Sequence, residues 1–332
     1  MGTRRAGPRR MVAGRMSLVL VVWLALGLAC MPLATPIQTG VPDVAPEPGD
    51  SPPTPVPSAT PTQLDLPTET PVIPAPAGVS DVPVAFVMAG NAFNRTSLSL
   101  LGGFRDGEWL EPEQAADFLD LSGQYRVFVL GDPEQFVRIA AVQREDGPVQ
   151  FCNQPEYTLR MEEDIPLYTV GLNAGWQAYP RQVEKLSNHN ATYLQALTDY
   201  LTANGVESPD SRIEQIVRAD LDGDGTDEIL LAATRFVEPT GHSVQAGDYS
   251  LVLMRKLTAD GVVTQRVLGE IYTSEEALAF PPSYTLQGIL DVNADGRLEV
   301  LVYRQVWEGH GTILFELRGD WLEEALRLVC GP

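Results

Sequence analysis

The sequence predicts a mainly β protein with a few helices, in which a β-rich region precedes two four-stranded antiparallel units. Three observations predict this fold class. From residue 212 onward, eight strand-like segments follow one another in two runs of four. Each run carries one Asp-rich loop between its first and second strands, at Asp220 and at Asp291, so the runs repeat with an offset of 71 residues. A clear helix pattern, NATYLQALTDYLTANG, precedes both runs.

The first 29 residues have the features of an export signal. Five arginines precede a short apolar run, residues 18–29, which stops at Cys30. The ending LGLAC resembles a bacterial lipoprotein signal, which implies that Cys30 is lipidated and becomes the new N-terminus. The alternatives are ordinary signal cleavage and an uncleaved anchor, although Pro32 and the short run argue against an anchor. All three predict export, and the lipoprotein signal predicts an extracellular protein anchored by lipid to the outer face of a bacterial membrane.

Residues 30–82 are predicted to be a disordered, Pro/Thr-rich stalk. The stretch TPVPSATPTQLDLPTETPVIPAPAG is typical of it, and neither Lys nor Arg occurs between Arg15 and Arg95. Such a composition cannot bury a core and favours an extended, polyproline-like chain. A Pro-rich partner-binding tract is the alternative, although no repeated motif supports it.

The charge balance argues against one class of partner. Removing residues 1–29 takes five arginines and no acids from totals of 23 and 44, which leaves 18 basic and 44 acidic residues, a net charge of −26. Such a chain repels nucleic acid and anionic lipid head groups and attracts cations. We therefore expect no nucleic-acid partner, and contact with the membrane only through the lipid anchor.

The folded part divides into two predicted regions, residues 83–186 and 187–332. The first consists of short strands with one short helix at residues 111–119. The second opens with the clear helix, which Asn190 can cap, and continues with the two four-stranded units. Two blades cannot close a propeller, which needs about four. We expect either an incomplete propeller, with degenerate blades from the first region, or an open sandwich, which we favour.

The two Asp-rich loops match each other position by position. DLDGDGTDEIL and DVNADGRLEVL share the pattern Asp-x-(Asp/Asn)-x-Asp-Gly-x-x-Glu, followed by aliphatic residues. Ca²⁺ takes six to eight oxygen ligands, often from positions one, three and five of a loop, a carbonyl at seven and a later carboxylate. The expected ligands are Asp220, Asp222, Asp224, Thr226 (through its carbonyl) and Glu228 in the first loop, and Asp291, Asn293, Asp295, Arg297 (through its carbonyl) and Glu299 in the second. The alternative is an Asx-rich turn that binds nothing.

The first loop offers four acidic ligands and the second three, so we expect the first to bind Ca²⁺ more tightly.

An EF-hand is excluded because Leu231 and Val302 stand at position twelve, where that loop needs a bidentate acid. The pattern instead resembles the calcium loops of FG-GAP/VCBS-type repeats, related to the β-propeller of the integrin α subunit. The resemblance covers about residues 210–332. It implies a Ca²⁺ between two antiparallel strands, with Glu228 and Glu299 closing the shell where the family more often has Asp.

Two cysteines remain once Cys30 is assigned to the lipid. In an exported chain, Cys152 and Cys330 are natural partners for a disulfide, which would close a loop of 178 residues. Two free buried thiols are the alternative.

Catalytic motifs are absent from the sequence. It contains no His-Glu-x-x-His, no Gly-x-Ser-x-Gly and no phosphate-cradling glycine loop. We therefore predict an exported, tethered calcium-binding surface protein, a non-catalytic binding or structural module whose partner is an unidentified cell-surface protein or glycan. The alternative is a secreted glycan-directed hydrolase or its accessory domain, since an acid pair could lie among the many carboxylates.

Overall fold

The computed structural model describes residues 84–145, 152–173, 175–237 and 242–331, which all belong to one compact unit. The expected signal at 1–29, Cys30 and the stalk at 30–82 lie outside the described residues. Neither helix in the described part of the chain has the length and apolar character needed to cross a membrane.

A closed antiparallel barrel forms the first half of the described chain. Its elements in chain order are β1 (Ala85–Ala89), β2 (Ser97–Arg105), β3 (Glu108–Leu110), α1 (Pro112–Ala116), β4 (Gln124–Phe128), β5 (Gln135–Glu145), β6 (Glu156–Met161) and β7 (Val170–Leu172). The strand order is β1-β7-β4-β5-β6-β2, and β1 pairs again with β2, so six strands close while β3 extends from β2. Inward side chains such as Met88, Leu100 and Leu159 fill the interior. A barrel therefore replaces the further blades that an incomplete propeller would need.

The second half of the described chain holds two main antiparallel sheets. Its elements are β8 (Val183–Leu186), α2 (Ala191–Ala203), β9 (Gln215–Ala219), β10 (Glu228–Arg235), β11 (Ser243–Val244), β12 (Tyr249–Thr258), β13 (Gly261–Ile271), β14 (Glu276–Ala277), β15 (Ser283–Leu290), β16 (Glu299–Val306), β17 (Gly309–Arg318) and β18 (Trp321–Cys330). One sheet has the order β13-β12-β10-β9-β8 and the other the order β15-β16-β17-β18, while β11 pairs with β14. The mainly β, antiparallel fold class is confirmed. The first unit has five strands where four were expected, because β8, which precedes the helix, pairs with β9.

The sheets stack in layers because successive side chains of a strand point to opposite faces. In β16, Val300 and Val302 join a core shared with the five-stranded sheet, whereas Leu301 joins a core shared with the barrel. In β10, Leu230 faces the four-stranded sheet and Leu231 faces α2. The order of layers is therefore α2, the five-stranded sheet, the four-stranded sheet and the barrel. Because both faces of β10 and β16 are covered, their sequences are continuous apolar runs and do not alternate between apolar and polar residues.

A disulfide joins Cys152 to Cys330, as the sequence predicted. The same two residues form an isolated antiparallel bridge, so the end of β18 is held against the chain that leads into β6.

Candidate metal centre

The two Asp-rich loops lie at equivalent places in the two sheets. Residues 220–227 connect β9 to β10, and residues 291–298 connect β15 to β16. Each loop leads directly into a glutamate that begins the next strand, Glu228 or Glu299. Both glutamates are 1% exposed, because the strands that they begin are buried.

The aspartate at position one folds each loop around its own carboxylate. Asp220 accepts the N–H of Gly223 on Oδ1 at 2.7 Å and the N–H of Gly225 on Oδ2 at 3.1 Å. The second loop repeats these two bonds at 2.7 and 3.0 Å with Asp291, Ala294 and Gly296. Positions four and six have positive φ in both loops, and three of these four residues are glycines. The turn therefore needs the conformations that glycine adopts most readily.

Positions three, five and nine also repeat their hydrogen bonds. In the first loop, Asp222 accepts the N–H of Asp224 at 3.2 Å and Asp224 accepts that of Thr226 at 2.7 Å. In the second loop, Asn293 accepts the N–H of Asp295 at 3.0 Å and Asp295 accepts that of Arg297 at 2.8 Å. Oε2 of Glu228 accepts the N–H of Leu221 at 2.9 Å, and Oε2 of Glu299 accepts that of Val292 at the same distance. The two loops thus share one folded conformation.

The acidic side chains of the first loop converge. Carboxylate oxygens of Asp220, Asp222 and Asp224 all lie within 4.8 Å of one another. The second loop has an amide in the middle position, and Nδ2 of Asn293 donates weakly to Asp295 at 3.4 Å. Three carboxylates therefore meet in the first loop, where the second has two carboxylates and an amide.

A buried lysine, which the sequence analysis missed, lies against the first loop. Nζ of Lys256 is 2.7 Å from Oδ2 of Asp222, 3.3 Å from Oε1 of Glu228 and 3.5 Å from Oδ1 of Asp320. It comes from β12, one residue beyond Arg255, which pairs with Ile229 of β10. The ammonium therefore supplies one positive charge beside the clustered acids.

The second sheet has an acid at the corresponding place. Glu316 of β17 is one residue beyond Phe315, which pairs with Val300 of β16. Its carboxylate accepts the Nε1–H of Trp109 at 2.9 Å and forms an ion pair with Arg318. In contrast to Lys256, Glu316 adds no positive charge beside the second loop.

The pKa values reflect this difference. Burial alone would raise the pKa of Asp222, but hydrogen bonds from Lys256 and from the Asp224 N–H lower it overall. Burial raises the pKa of Glu228. In the second loop, burial raises the pKa of Asp291 to about 6, although N–H groups oppose the shift, and it raises the pKa of Glu299 well above its usual range. Among the described residues, neither Asp291 nor Glu299 forms an ion pair, whereas Lys256 pairs with Asp222 and Glu228 of the first loop.

Arg181 joins the two loops, and the sequence analysis missed it as well. Its guanidinium donates to the carbonyl of Asp220 at 2.7 Å, to that of Leu221 at 3.0 Å and to that of Gly296 at 2.7 Å. The N–H of Leu298 also donates to the carbonyl of Leu221 at 2.8 Å. The two loops are therefore in direct contact at one edge of the stacked sheets.

The donor set of the first loop fits a hard divalent cation. All its expected side-chain ligands are carboxylates, and hard cations such as Ca²⁺ take oxygen ligands of this kind. Oε1 of Glu228 is buried and makes no hydrogen bond, and its ion-pair contact among the described residues is Lys256. Buried polar atoms are rarely left in this state. This oxygen therefore faces one cation, the Lys256 ammonium, without receiving a hydrogen bond from it.

Two grooves of the described chain each hold a single carboxylate. An open groove of about 450 Å³ is lined by Glu214, Gln215, Thr234, Ser283, Tyr284 and Thr285. Glu214 is the one carboxylate among these residues, whereas glycosidases need two facing carboxyl groups. The pocket that holds Glu156 and His310 has a volume of about 20 Å³, little more than a water molecule needs.

Comparison of the chain with protein-family models, with curated proteins and with solved structures found no match.

Proposed function

We propose that this protein is an exported, membrane-tethered surface module that binds Ca²⁺ in its two Asp-rich loops and has no catalytic role. The observation that carries the proposal is the convergence of Asp220, Asp222 and Asp224 within 4.8 Å in a loop whose hydrogen bonds recur in a second loop. Export and tethering rest on the sequence of residues 1–30. The partner, an unidentified cell-surface protein or a glycan, belongs to the same proposal.

Calcium suits these loops better than a softer or smaller ion. The ligands are oxygens throughout, and neither loop contains a His or a Cys, which zinc would favour. Mg²⁺ usually keeps several waters and takes one or two carboxylates, whereas the first loop presents three converging carboxylates and a fourth in Glu228.

The proposed role of Ca²⁺ is structural. Like charges crowded at a hairpin tip repel one another, and a divalent cation among them removes that repulsion. Because Arg181 and the Leu298 N–H join the loops, an ion in either loop would stabilise the junction between the two sheets. We therefore expect Ca²⁺ to strengthen the fold without taking part in a reaction.

The experiment is a thermal melt of the folded region, with its disulfide intact, in Ca²⁺ and in EDTA. Calcium at about 100 times its Kd adds about 2.7 kcal/mol per site, which is about 5–10 °C for a domain of this size. Asp224→Asn keeps the acceptor for the Thr226 N–H but removes a negative charge. This variant should therefore lose the part of the Ca²⁺-induced rise in Tm that comes from the first loop.

Asp227→Asn is the matched control for this melt. Asp227 is an exposed acid of the same loop that pairs with Arg218 at 3.5 Å and is not among the expected ligands. The Asp227→Asn variant should show the same Ca²⁺-induced rise in Tm as the unaltered protein. Identical melting curves in Ca²⁺ and EDTA for the unaltered protein would refute the proposed function.

A further inference from the structure

We infer that Lys256 is a built-in competitor for the cation of the first loop, and that Ca²⁺ binds there only as the Lys256 ammonium moves away toward Asp320. This inference rests on the proposed function, because it concerns how one of the two proposed sites is regulated. It also removes the reason for expecting the first loop to bind more tightly.

The position of the ammonium supports competition. It lies 2.7 Å from Asp222 and 3.3 Å from Glu228, which are two of the acids expected to hold the metal. Lys256 is 5% exposed, so its charge is little screened by solvent. A divalent cation in contact with the same two carboxylates would lie within a few ångströms of this ammonium, and their repulsion would oppose binding.

Lys256 satisfies the cluster incompletely. Asp222 receives a hydrogen bond from the ammonium, but Oε1 of Glu228, which is buried, has only the 3.3 Å ion-pair contact and no hydrogen bond. A metal that binds both oxygens directly would therefore gain an interaction that the lysine does not make. This leaves Lys256 able to be displaced rather than fixed permanently in the cluster.

Charge counting removes the apparent advantage of the first loop. Its four acidic ligands carry four negative charges, and Lys256 reduces the total to three, the number of acids in the second loop. Arg181, which is 3.8 Å from Oδ2 of Asp220, lowers this charge further, although it also contacts the second loop through the carbonyl of Gly296. The residue at the corresponding place in the second sheet, Glu316, is an acid. The acids of the first loop thus pair with basic side chains, whereas among the described residues the acids of the second loop form no ion pair.

Asp320 gives the displaced ammonium a place to go. Its carboxylate is already 3.5 Å from Nζ, and its side chain is 59% exposed, in the turn between β17 and β18. A lysine has a flexible stem with a compact charge, whereas a guanidinium is a rigid planar fork. The chain has 23 basic residues, of which only Lys185 and Lys256 are lysines. Lys256 can therefore keep one acidic partner while it leaves the loop.

The first test is Ca²⁺ titration by calorimetry in an Asp295→Asn background, which weakens the second loop. In that background Lys256→Met should bind Ca²⁺ at least tenfold more tightly than the parent and should show a larger Ca²⁺-induced rise in Tm. In EDTA its Tm should be lower, because the acids lose their internal cation. Lys185→Met, which replaces the other lysine, should leave both the affinity and the Tm shift unchanged.

The second test needs no substitution. With ¹⁵N-labelled lysine, the side chains of Lys185 and Lys256 give two ammonium signals that can be followed during a Ca²⁺ titration. The Lys256 signal should shift and exchange faster with water as Ca²⁺ binds, while the Lys185 signal stays in place. This measurement decides the question even if Lys256→Met does not fold.

The outcomes separate the two proposals. Absence of Ca²⁺ binding in the parent and in every variant would overturn the proposed function, and this inference with it. If the parent binds Ca²⁺ in the first loop while Lys256→Met has the same Kd and the Lys256 signal does not move, the proposed function stands and the competitor role is overturned.

Discussion

Replacing Arg181 with alanine should destabilise the junction of the two loops more than any exposed arginine substitution. The guanidinium donates to three backbone carbonyls, two in the first loop and one in the second, and its side chain is 13% exposed. A net hydrogen bond to a charged group contributes about 1.5–3 kcal/mol. Three such bonds would contribute about 4.5–9 kcal/mol. In the alanine variant, water can enter the vacated space and hydrogen-bond the three carbonyls, which offsets part of this loss. We expect Arg181→Ala to cost about 3–5 kcal/mol.

The assay is equilibrium unfolding in urea, with the disulfide intact, in Ca²⁺ and in EDTA. Arg218→Ala is the matched control, because Arg218 is 46% exposed and its ion pairs with Glu184 and Asp227 are at the surface. Such pairs contribute about 0–1 kcal/mol. Arg181→Lys keeps the positive charge, but a lysine lacks the planar guanidinium that donates to all three carbonyls. Its stability should therefore lie between that of the unaltered protein and that of Arg181→Ala.

The reasoning would be refuted if Arg181→Ala and Arg218→Ala lost the same stability within about 0.5 kcal/mol, at unchanged m-values. A further readout concerns the metal. Because Arg181 contacts both loops, its removal should weaken Ca²⁺ binding in both, whereas a substitution confined to one loop should weaken binding there alone.

Two further predictions concern the loop backbone and the disulfide. Ala294 has a φ of 64° at the position where the first loop has glycine, so Ala294→Gly should relieve about 1 kcal/mol of strain. It also removes a buried methyl group from the core and adds unfolded-state entropy, so the net loss of stability should be no more than about 1 kcal/mol. Gly223→Ala should cost more, about 1–3 kcal/mol, because φ is 80° and a Cβ would lie 3.0 Å from Nη1 of Arg181; a smaller loss for Gly223→Ala than for Ala294→Gly in urea unfolding would contradict this account. Cys152→Ser should lower stability by up to about 5 kcal/mol, since the disulfide closes 178 residues of chain. Dithiothreitol should lower the stability of the parent and leave Cys152→Ser unaffected, and equal sensitivity of the two proteins would count against the disulfide.

Local features of the fold could be predicted because the residues that produce them are close in sequence. The eight strand-like segments of the second half, the helix with Asn190 as its N-cap and the two Asp-rich connections all depend on neighbouring residues. The side chain of Asn190 accepts the N–H of Thr192 at 3.0 Å, as a capping residue should. Glycine at positions six of the loops has the positive φ that the turn requires.

Features that depend on distant pairing could not be predicted in the same way. Closure of the barrel needs β1 to pair with both β2 and β7, and no local pattern specifies which strands meet. Lys256 reaches Asp222 from 34 residues away, through a strand register that the sequence does not state. Arg181 contacts Gly296 across 115 residues, and among the 23 basic residues nothing local marks it.

The position of the four-stranded sheet in the stack has a consequence for how the chain matures. Both principal interfaces, one with the five-stranded sheet and one with the barrel, are lined by residues of β15 to β18, which follow all the other strands of the described chain. During translation, the barrel strands and the five-stranded sheet would each expose an apolar face until residues 283–330 leave the ribosome. We therefore expect the nascent chain to stay incompletely folded until the whole four-stranded sheet has been synthesised.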